Sequence, residues 1–160
     1  MKSELLPQLR HHSAWLTRAI ADVDWLRATF RLAPGPRPSI AWLVGHIAEG
    51  VDSIATAVAD CGPFLDPAFS GRREQRDWGL KSPPEWEALR ESWERVAQGT
   101  LAGLEELGED ALDLAPAIEI HPEFRERLST RRAFLAGECF HVAYHLGQIG
   151  TLRAAQGLGW

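Results

Sequence analysis

Two histidines four residues apart are the part of the sequence best suited to do chemistry. His141 and His145 lie in the stretch Phe134 to Gly157, and four residues are close to one helical turn, so both imidazoles are expected on one helix face. A third histidine, His46, lies much earlier in the chain, in another apolar helical pattern. If these two helices pack face to face, three neutral imidazoles meet, and such a set is typical of a metal site.

Three core histidines can also be satisfied separately by ordinary hydrogen bonds. The metal interpretation is favoured because the inward side of the last helix is too polar for a plain core, and buried polar groups need partners. That row consists of Phe134, Glu138, His141, His145, Gln148 and Leu152. The other three histidines, His11, His12 and His121, are predicted to lie at the surface.

Carboxylates close to the histidines are candidates to orient them. Glu138 lies one turn before His141 and Glu49 one turn after His46, and a ligating imidazole usually donates its far N–H to such a group. Glu49 has two other interpretations: it could be a fourth ligand, or it could face solvent beside Asp52. The sequence leaves these alternatives open.

Two further polar residues accompany the C-terminal pair. Gln148 belongs to the polar row and is a second candidate to orient an imidazole. Tyr144 adjoins His145 and either lines a pocket or packs in the core. Cys139, two residues before His141, is predicted to be a small buried hydrophobic residue rather than a nucleophile.

Three protein ligands leave a coordination position for water or substrate, as in catalytic rather than structural sites. Zinc is the first expectation, although imidazole also suits nickel, iron and copper. A divalent ion would lower the pKa of a bound water or thiol, so that its anion could attack near neutral pH. The sequence contains no GxSxG, no glycine-rich phosphate loop and no HExxH that would indicate another chemistry.

Four amphipathic helices are predicted to position these side chains, because apolar residues recur at steps of three or four. The predicted helices span residues 3–30, 39–60, 82–107 and 129–157. A long crossover joins the second helix to the third, and an irregular connection from Leu112 to Leu128 precedes the fourth. The predicted fold is therefore all-α, a four-helix bundle with a long crossover between helices 2 and 3, in one domain over residues 1–160.

Several helix ends carry recognisable signals. Ser39 is a predicted cap of the second helix, and Ser129 or Thr130 caps the fourth. The run Ser82 to Glu85 resembles a capping box, and Gly108 is expected to be the left-handed residue after the third helix. Within that helix, Gly99 and Gly103 either permit close approach of a neighbour or weaken the helix; both interpretations are retained.

Composition limits the classes of partner. The net charge of −5 argues against nucleic acid, and the arginines at 72, 73, 76, 131 and 132 are predicted to be solvated. No apolar run approaches the roughly 18 residues of a membrane span. Two cysteines without a CxxC pair, and no signal peptide pattern, predict a cytoplasmic protein. Seven tryptophans predict a rigid aromatic core.

Two stretches of the sequence carry a family resemblance. IAWLVGH, ending at His46, and HVAYHLGQI, running from His141 to Ile149, resemble the two signature stretches of the DinB/YfiT-like superfamily of metalloenzymes. The resemblance implies that His46, His141 and His145 bind a divalent metal, often nickel or zinc, in a four-helix bundle that commonly forms a homodimer. Many members carry His and Arg where this chain has Tyr144 and Leu146.

The resemblance also implies a class of reaction. Characterised relatives include transferases and isomerases that use a low-molecular-weight thiol such as mycothiol or bacillithiol. We therefore predict a metal-dependent enzyme, a small-thiol transferase or isomerase or else a hydrolase, that acts on a small-molecule substrate. One alternative is a non-enzymatic bundle in which metal braces the helices or a dimer, as in a structural or stress-response protein. Another is a metal-free bundle with a Trp-lined pocket.

Overall fold

Helices make up the regular structure of the chain. The computed structural model describes residues 2–33 and 37–159, and no β-strand occurs within these ranges. The helices are α1 Lys2–Ile20, α2 Trp25–Ala28, α3 Ile40–Ala57, α4 Pro83–Glu106 and α5 Arg131–Ala155. The predicted all-α class is confirmed. In the same ranges, no helix has the length and hydropathy needed to cross a bilayer.

Hydroxyl caps begin two of the helices that carry the histidines. The Ser39 hydroxyl accepts a hydrogen bond from the Trp42 N–H at 3.2 Å, at the start of α3. The Thr130 hydroxyl accepts one from the Ala133 N–H at 3.1 Å, at the start of α5. Each cap satisfies a backbone donor that the first helical turn leaves unpaired. Ser39 is thus confirmed as a cap, and Thr130 rather than Ser129 caps the last helix.

The four long helices enclose a shared core. α3 packs against α4 and α5, and α1 packs against the same two helices. Trp78, Trp86 and Trp93 are fully buried in this core, which confirms its predicted aromatic character. Each indole N–H finds an acceptor, at 2.8 to 2.9 Å, so burial leaves no donor of these rings unpaired.

The prediction of one helix from Ser3 to Phe30 is wrong. α1 ends at Ile20, and Asp24 caps the short α2 by accepting a hydrogen bond from the Arg27 N–H. Arg153 of α5 donates to the Ala19 carbonyl and pairs with Asp22, which satisfies the end of α1. Because the bonds come from a distant helix, the continuous apolar pattern did not reveal the break.

The third predicted helix, α4, begins at Pro83 and ends at Glu106, close to its predicted bounds, but the details expected at its two ends are wrong. The Ser82 side chain makes no cap hydrogen bond, and Glu85 accepts from the Lys81 N–H instead of closing a capping box with Ser82. Gly108 has φ −67°, so it is not left-handed. The backbone leaves α4 in an extended conformation at Leu107, φ −70° and ψ 131°, which a β-region residue provides without a glycine.

The two glycines within α4 permit close approach of the segment that follows α3. A methyl group at Gly99 would lie 2.6 Å from the Phe64 ring, and one at Gly103 would lie 2.4 Å from Cys61 Sγ. Real Cβ contacts are not that short, so the crossover could not pack against α4 with larger residues there. This observation decides between the two interpretations of these glycines.

Arg131 is buried, which contradicts its prediction as a solvated charge. Its guanidinium pairs with Asp60 at 2.7 Å and donates to the carbonyls of Val58 and Ala115. These bonds tie the first turn of α5 to the end of α3 and to the connection before α5. The partners are distant in sequence, so the local pattern of charges could not identify them.

Candidate metal centre

The three predicted histidines converge on one point between α3 and α5. The ring centroids of His46 and His141 are 4.7 Å apart, those of His46 and His145 4.8 Å, and those of His141 and His145 4.5 Å. One ligand atom from each ring lies within 4.8 Å of the others, so a single metal ion could bind all three. The structure thus brings together the residues that the sequence placed on facing helices.

Side chains one turn away orient the two imidazoles on α5. Nδ1 of His141 lies 3.0 Å from Oε2 of Glu138, and Nδ1 of His145 lies 2.7 Å from Oε1 of Gln148. A carboxylate or amide oxygen can only accept, so each Nδ1 carries the proton. The Nε2 atoms of both rings therefore keep the lone pair that a metal requires.

His46 is held mainly by aromatic packing. Its Nδ1 is buried and has no hydrogen-bond partner among the described residues. The rings of Trp42 and Trp78 pack near it, with centroids 4.7 and 6.3 Å from that of His46. Its Nε2 lies 2.8 Å from Nε2 of His141, a hydrogen-bonding distance at which one neutral ring donates to the other.

Burial favours the neutral form of His46 and of His145. Desolvation, followed by the nearby His141, His145 and Arg73, lowers the pKa of His46 to about 3. Desolvation also lowers the pKa of His145, although the hydrogen bond that His145 donates to Gln148 opposes this shift. A metal competes with protons for imidazole nitrogens, so a lowered pKa favours the form that binds metal. The donor set therefore fits a divalent ion that accepts imidazole ligands.

A strained turn at Asp77 and Trp78 packs against the α3 backbone next to His46. A methyl group at Gly45 would lie 2.3 Å from the Trp78 ring, so this tryptophan rests directly on the α3 backbone. Asp77 and Trp78 both have left-handed backbones, with φ 49° and 57°. The Asp77 carboxylate accepts hydrogen bonds from Ser39 and Arg31, which hold this unfavourable conformation in place.

Gly50 allows α5 to approach α3 at the histidines. A methyl group there would lie 2.8 Å from Oε2 of Glu138 and 3.2 Å from Nδ1 of His141. The glycine therefore leaves room for the carboxylate and the imidazole that it orients.

Glu49 contacts the crossover and does not join the three histidines. Its Oε1 accepts a hydrogen bond from the Gly71 N–H at 2.9 Å, and the converging group found in the described residues contains histidines alone. Asp52 is buried and accepts from the Phe64 N–H, so Glu49 and Asp52 do not form a solvent-facing pair. Glu49 also does not orient His46, whose Nδ1 has no hydrogen-bond partner among the described residues. Glu49 instead fixes the crossover segment that passes over α3.

Two clefts open beside the histidines. The first has a volume of about 770 Å³ and borders His46 and His141; the second, of about 550 Å³, borders His145. Arg73 and Tyr144 border both clefts. Because a small-molecule site typically occupies about 300 to 1,000 Å³, either cleft could admit a small substrate to the centre.

Tyr144 lines the clefts rather than packing in the core. Its side chain is exposed, and its ring centroid lies 5.1 Å from that of His145. Its hydroxyl accepts a hydrogen bond from Nε2 of Gln148 at 3.2 Å. Tyr144, Gln148 and His145 thus form a connected polar row that leads from the ring nitrogen to the cleft.

Several other predicted positions have clear outcomes. His11 and His121 are exposed as predicted, whereas the surface prediction for His12 is wrong because it is half-buried with a buried Nδ1. Cys139 is buried, and desolvation raises the pKa of its thiol to about 11, which agrees with its predicted inert role. Leu146 is buried in the core and does not reach the clefts.

Sequence reasoning missed the residues that pack around His46. Trp42 was predicted only as part of a family motif. Arg73 is exposed, as predicted, but its position beside both clefts was not expected. A usable signal existed for Trp42, because it precedes His46 by four residues and so shares its helix face. No local signal identified Arg73 or Trp78, since both lie on the crossover.

The comparisons with known proteins agree with this geometry. A sequence model of the DinB superfamily matches residues 4–149, a range that contains His46, His141 and His145. The comparison with curated proteins finds no match. A family match over most of the length, together with the converging histidines, makes the assignment plain: the chain belongs to the DinB superfamily.

Proposed function

We propose that His46, His141 and His145 bind a divalent metal ion, zinc or nickel, and that the protein is a metal-dependent enzyme acting on a small molecule. The observation that carries this proposal is the convergence of one ligand atom from each imidazole within 4.8 Å. The protonated Nδ1 atoms of His141 and His145 support it, because they leave both Nε2 atoms free as ligands.

The proposed reaction is transfer or isomerisation that depends on a small thiol, with hydrolysis by water as the related possibility. A bound divalent ion supplies a position at which a thiol or water loses its proton near neutral pH. Glu138 and Gln148 hold the imidazoles in the tautomer that binds, and Tyr144 presents its hydroxyl at the junction of the clefts. The clefts admit the thiol and a small electrophile.

The proposal extends to the assembly of the chain. We propose that the four long helices form the four-helix bundle with a crossover between α3 and α4, and that two copies form a homodimer. Exposed apolar side chains away from the clefts, such as Leu26 of α2, offer surface for such a contact. Two free thiols, Cys61 and Cys139, are consistent with a reducing cytoplasm. Light scattering in solution tests the dimer.

Metal analysis of the purified protein tests the proposed site directly. We expect about one divalent ion per chain, and His145→Ala should lose most of it because one of three ligands is removed. His121→Ala is the matched control, since His121 is exposed and outside the group. Equal metal content in wild type and both variants would refute the site.

A second candidate function is a non-enzymatic protein in which metal only braces the structure. The observation that favours it is that the three histidines link α3 to α5, so an ion would cross-link two helices. Removal of metal would then lower the melting temperature strongly, while azide and small thiols would leave the spectrum of a cobalt-substituted site unchanged. The enzyme proposal requires that azide or a thiol change that spectrum. A metal-free bundle would be unaffected by chelators.

A further inference from the structure

We propose that Arg73 is the recognition residue for an anionic group, and that the small molecule bound beside the histidines carries a carboxylate. This inference deepens the proposed function and rests on it. Arg73 borders both clefts, and it is the only arginine of the described residues that does so. A guanidinium binds a carboxylate through two parallel hydrogen bonds, which also fixes the orientation of the bound molecule.

Two side chains of α3 fix the segment that carries Arg73. Glu49 accepts a hydrogen bond from the Gly71 N–H at 2.9 Å, and the Trp42 indole donates to the Arg73 carbonyl at 3.0 Å. Trp42 lies one turn before His46 on the same helix, and Glu49 lies about one turn after it. The backbone of Arg73 is therefore positioned with respect to the metal ligand that these two residues flank.

The Arg73 guanidinium has no carboxylate partner within the described part of the chain. Neighbouring arginines differ: Arg31 and Arg76 both pair with Asp77. A cation that is fixed at its backbone, placed at a cleft and left without a counter-ion is available to a ligand.

Other residues that border the first cleft also favour binding of an anion there. Arg127 borders it, stacks on the Phe124 ring at 5.2 Å and has no ion pair with a described residue. The two carboxylates of that cleft are engaged, Glu49 with the Gly71 N–H and Glu138 with His141. Glu74, next to Arg73 in the chain, borders only the second cleft. We therefore place the carboxylate of the ligand in the first cleft.

Exposed aromatic side chains define the rest of the ligand surface. Phe140 is 75% exposed and Tyr144 58%, and both border the first cleft. They lie one turn apart on α5, so both present apolar surface to the first cleft. The expected ligand is a small molecule with a carboxylate at one end and an apolar or thiol-bearing portion that faces the histidines.

Matched probes test the inference on the metal-loaded protein. 3-Mercaptopropionate and 3-mercaptopropanol share a thiol and differ in the carboxylate, and their affinities are measured by calorimetry and by the absorption of the cobalt-substituted site. We expect the carboxylate to strengthen binding at least about tenfold, as for a hydrogen bond between charged groups. Arg73→Gln should abolish this advantage and leave both the metal content and the affinity for the neutral thiol unchanged.

Arg72→Gln is the matched control, because Arg72 is the adjacent residue, stacks on Phe69 and borders neither cleft. This substitution removes the same charge, but 3-mercaptopropionate should still bind more tightly than 3-mercaptopropanol. Equal affinities of the two probes for wild type would overturn the inference and leave the proposed function intact. An equal loss in both variants would also overturn it, since long-range charge alone would then explain the preference.

Failure of the proposed function gives a different result. If the wild-type protein binds no metal, the proposed function fails, and the anion site is measured on the metal-free protein with succinate against succinamide. Tighter binding of succinate that is lost in Arg73→Gln and kept in Arg72→Gln supports the recognition role of Arg73. No preference for succinate overturns it.

Discussion

The carboxylate of Glu138 and the imidazole of His141 are 3.0 Å apart and occupy neighbouring turns of α5. The opposite nitrogen of that imidazole lies 2.8 Å from His46 on α3. A continuous polar connection therefore runs from the carboxylate through one ring to the other helix. A negative charge behind a ligating imidazole makes its lone pair more basic and fixes its tautomer.

Glu138→Ala should weaken metal binding by about 10–100-fold, the usual cost of losing such a contact. Glu138→Gln should cost less, because an amide oxygen still accepts the Nδ1 proton of His141. Competition with a metal indicator measures both affinities. Glu94→Gln, at an exposed position on α4, is the control that should match wild type. An affinity of Glu138→Ala within twofold of wild type would contradict the role of this carboxylate.

Gly50→Ala should reduce metal affinity without unfolding the protein. The added methyl group would lie 2.8 Å from Glu138 Oε2, and the flexible side chain can move away at small cost, leaving His141 without its acceptor. Gly147→Ala on α5 is the matched control, because no atom outside its own helix lies within 4 Å of the new methyl group. The control should keep the affinity and gain up to about 1 kcal/mol of stability. Equal affinities in the two variants would show that Gly50 does not serve the site.

The protein should become less stable as the pH falls, because His12 takes up a proton more readily in the unfolded chain. Burial, and then the charge of His11, lower the pKa of this half-buried imidazole from 6.5. Below pH 6.5 the unfolded chain binds more protons at His12 than the folded chain does. The contribution of His12 to the free energy of unfolding is therefore complete above pH 6.5 and is lost as the pH falls. Urea unfolding of metal-free protein should therefore show a steeper loss between pH 7 and 5 for wild type than for His12→Gln. An equal loss of stability between pH 7 and 5 in wild type and His12→Gln would contradict the lowered pKa of His12.

The two cysteines should react at different rates with an aromatic disulfide reagent. Burial raises the pKa of the Cys139 thiol to about 11, so little thiolate exists at pH 8 in the folded protein. Cys61 is only partly buried, although desolvation also raises its pKa, and it should react first. In Cys61→Ser, the remaining thiol should react only when denaturant unfolds the chain. Rapid reaction of folded Cys61→Ser would show that Cys139 is accessible.

The histidine site could be predicted because each helix face that forms it is defined by residues close together in the sequence. The spacing of His141 and His145 defines a helix face, and the apolar pattern around His46 defines another, so only the packing of two helices had to be assumed. Ser39 was found as a cap for the same reason, since a cap acts within three residues of itself.

The remaining features depend on partners that lie far away in the chain. The end of α1 is satisfied by Arg153, Arg131 is buried through Asp60, and the role of Arg73 requires the crossover to lie over α3. No periodicity encodes such contacts. Gly108 shows a related difficulty: a glycine after a helix is compatible with a left-handed end but does not require one.

The contact between His46 and His141 joins positions separated by 95 residues. During synthesis on the ribosome, α3 emerges long before α5, and a nascent chain that ends after α3 contains only one of the three converging histidines, His46. The group of three imidazoles therefore cannot assemble until α5 has been made and docked on α3. Maturation of the centre thus depends on a long-range contact, the kind that chains form slowly during folding.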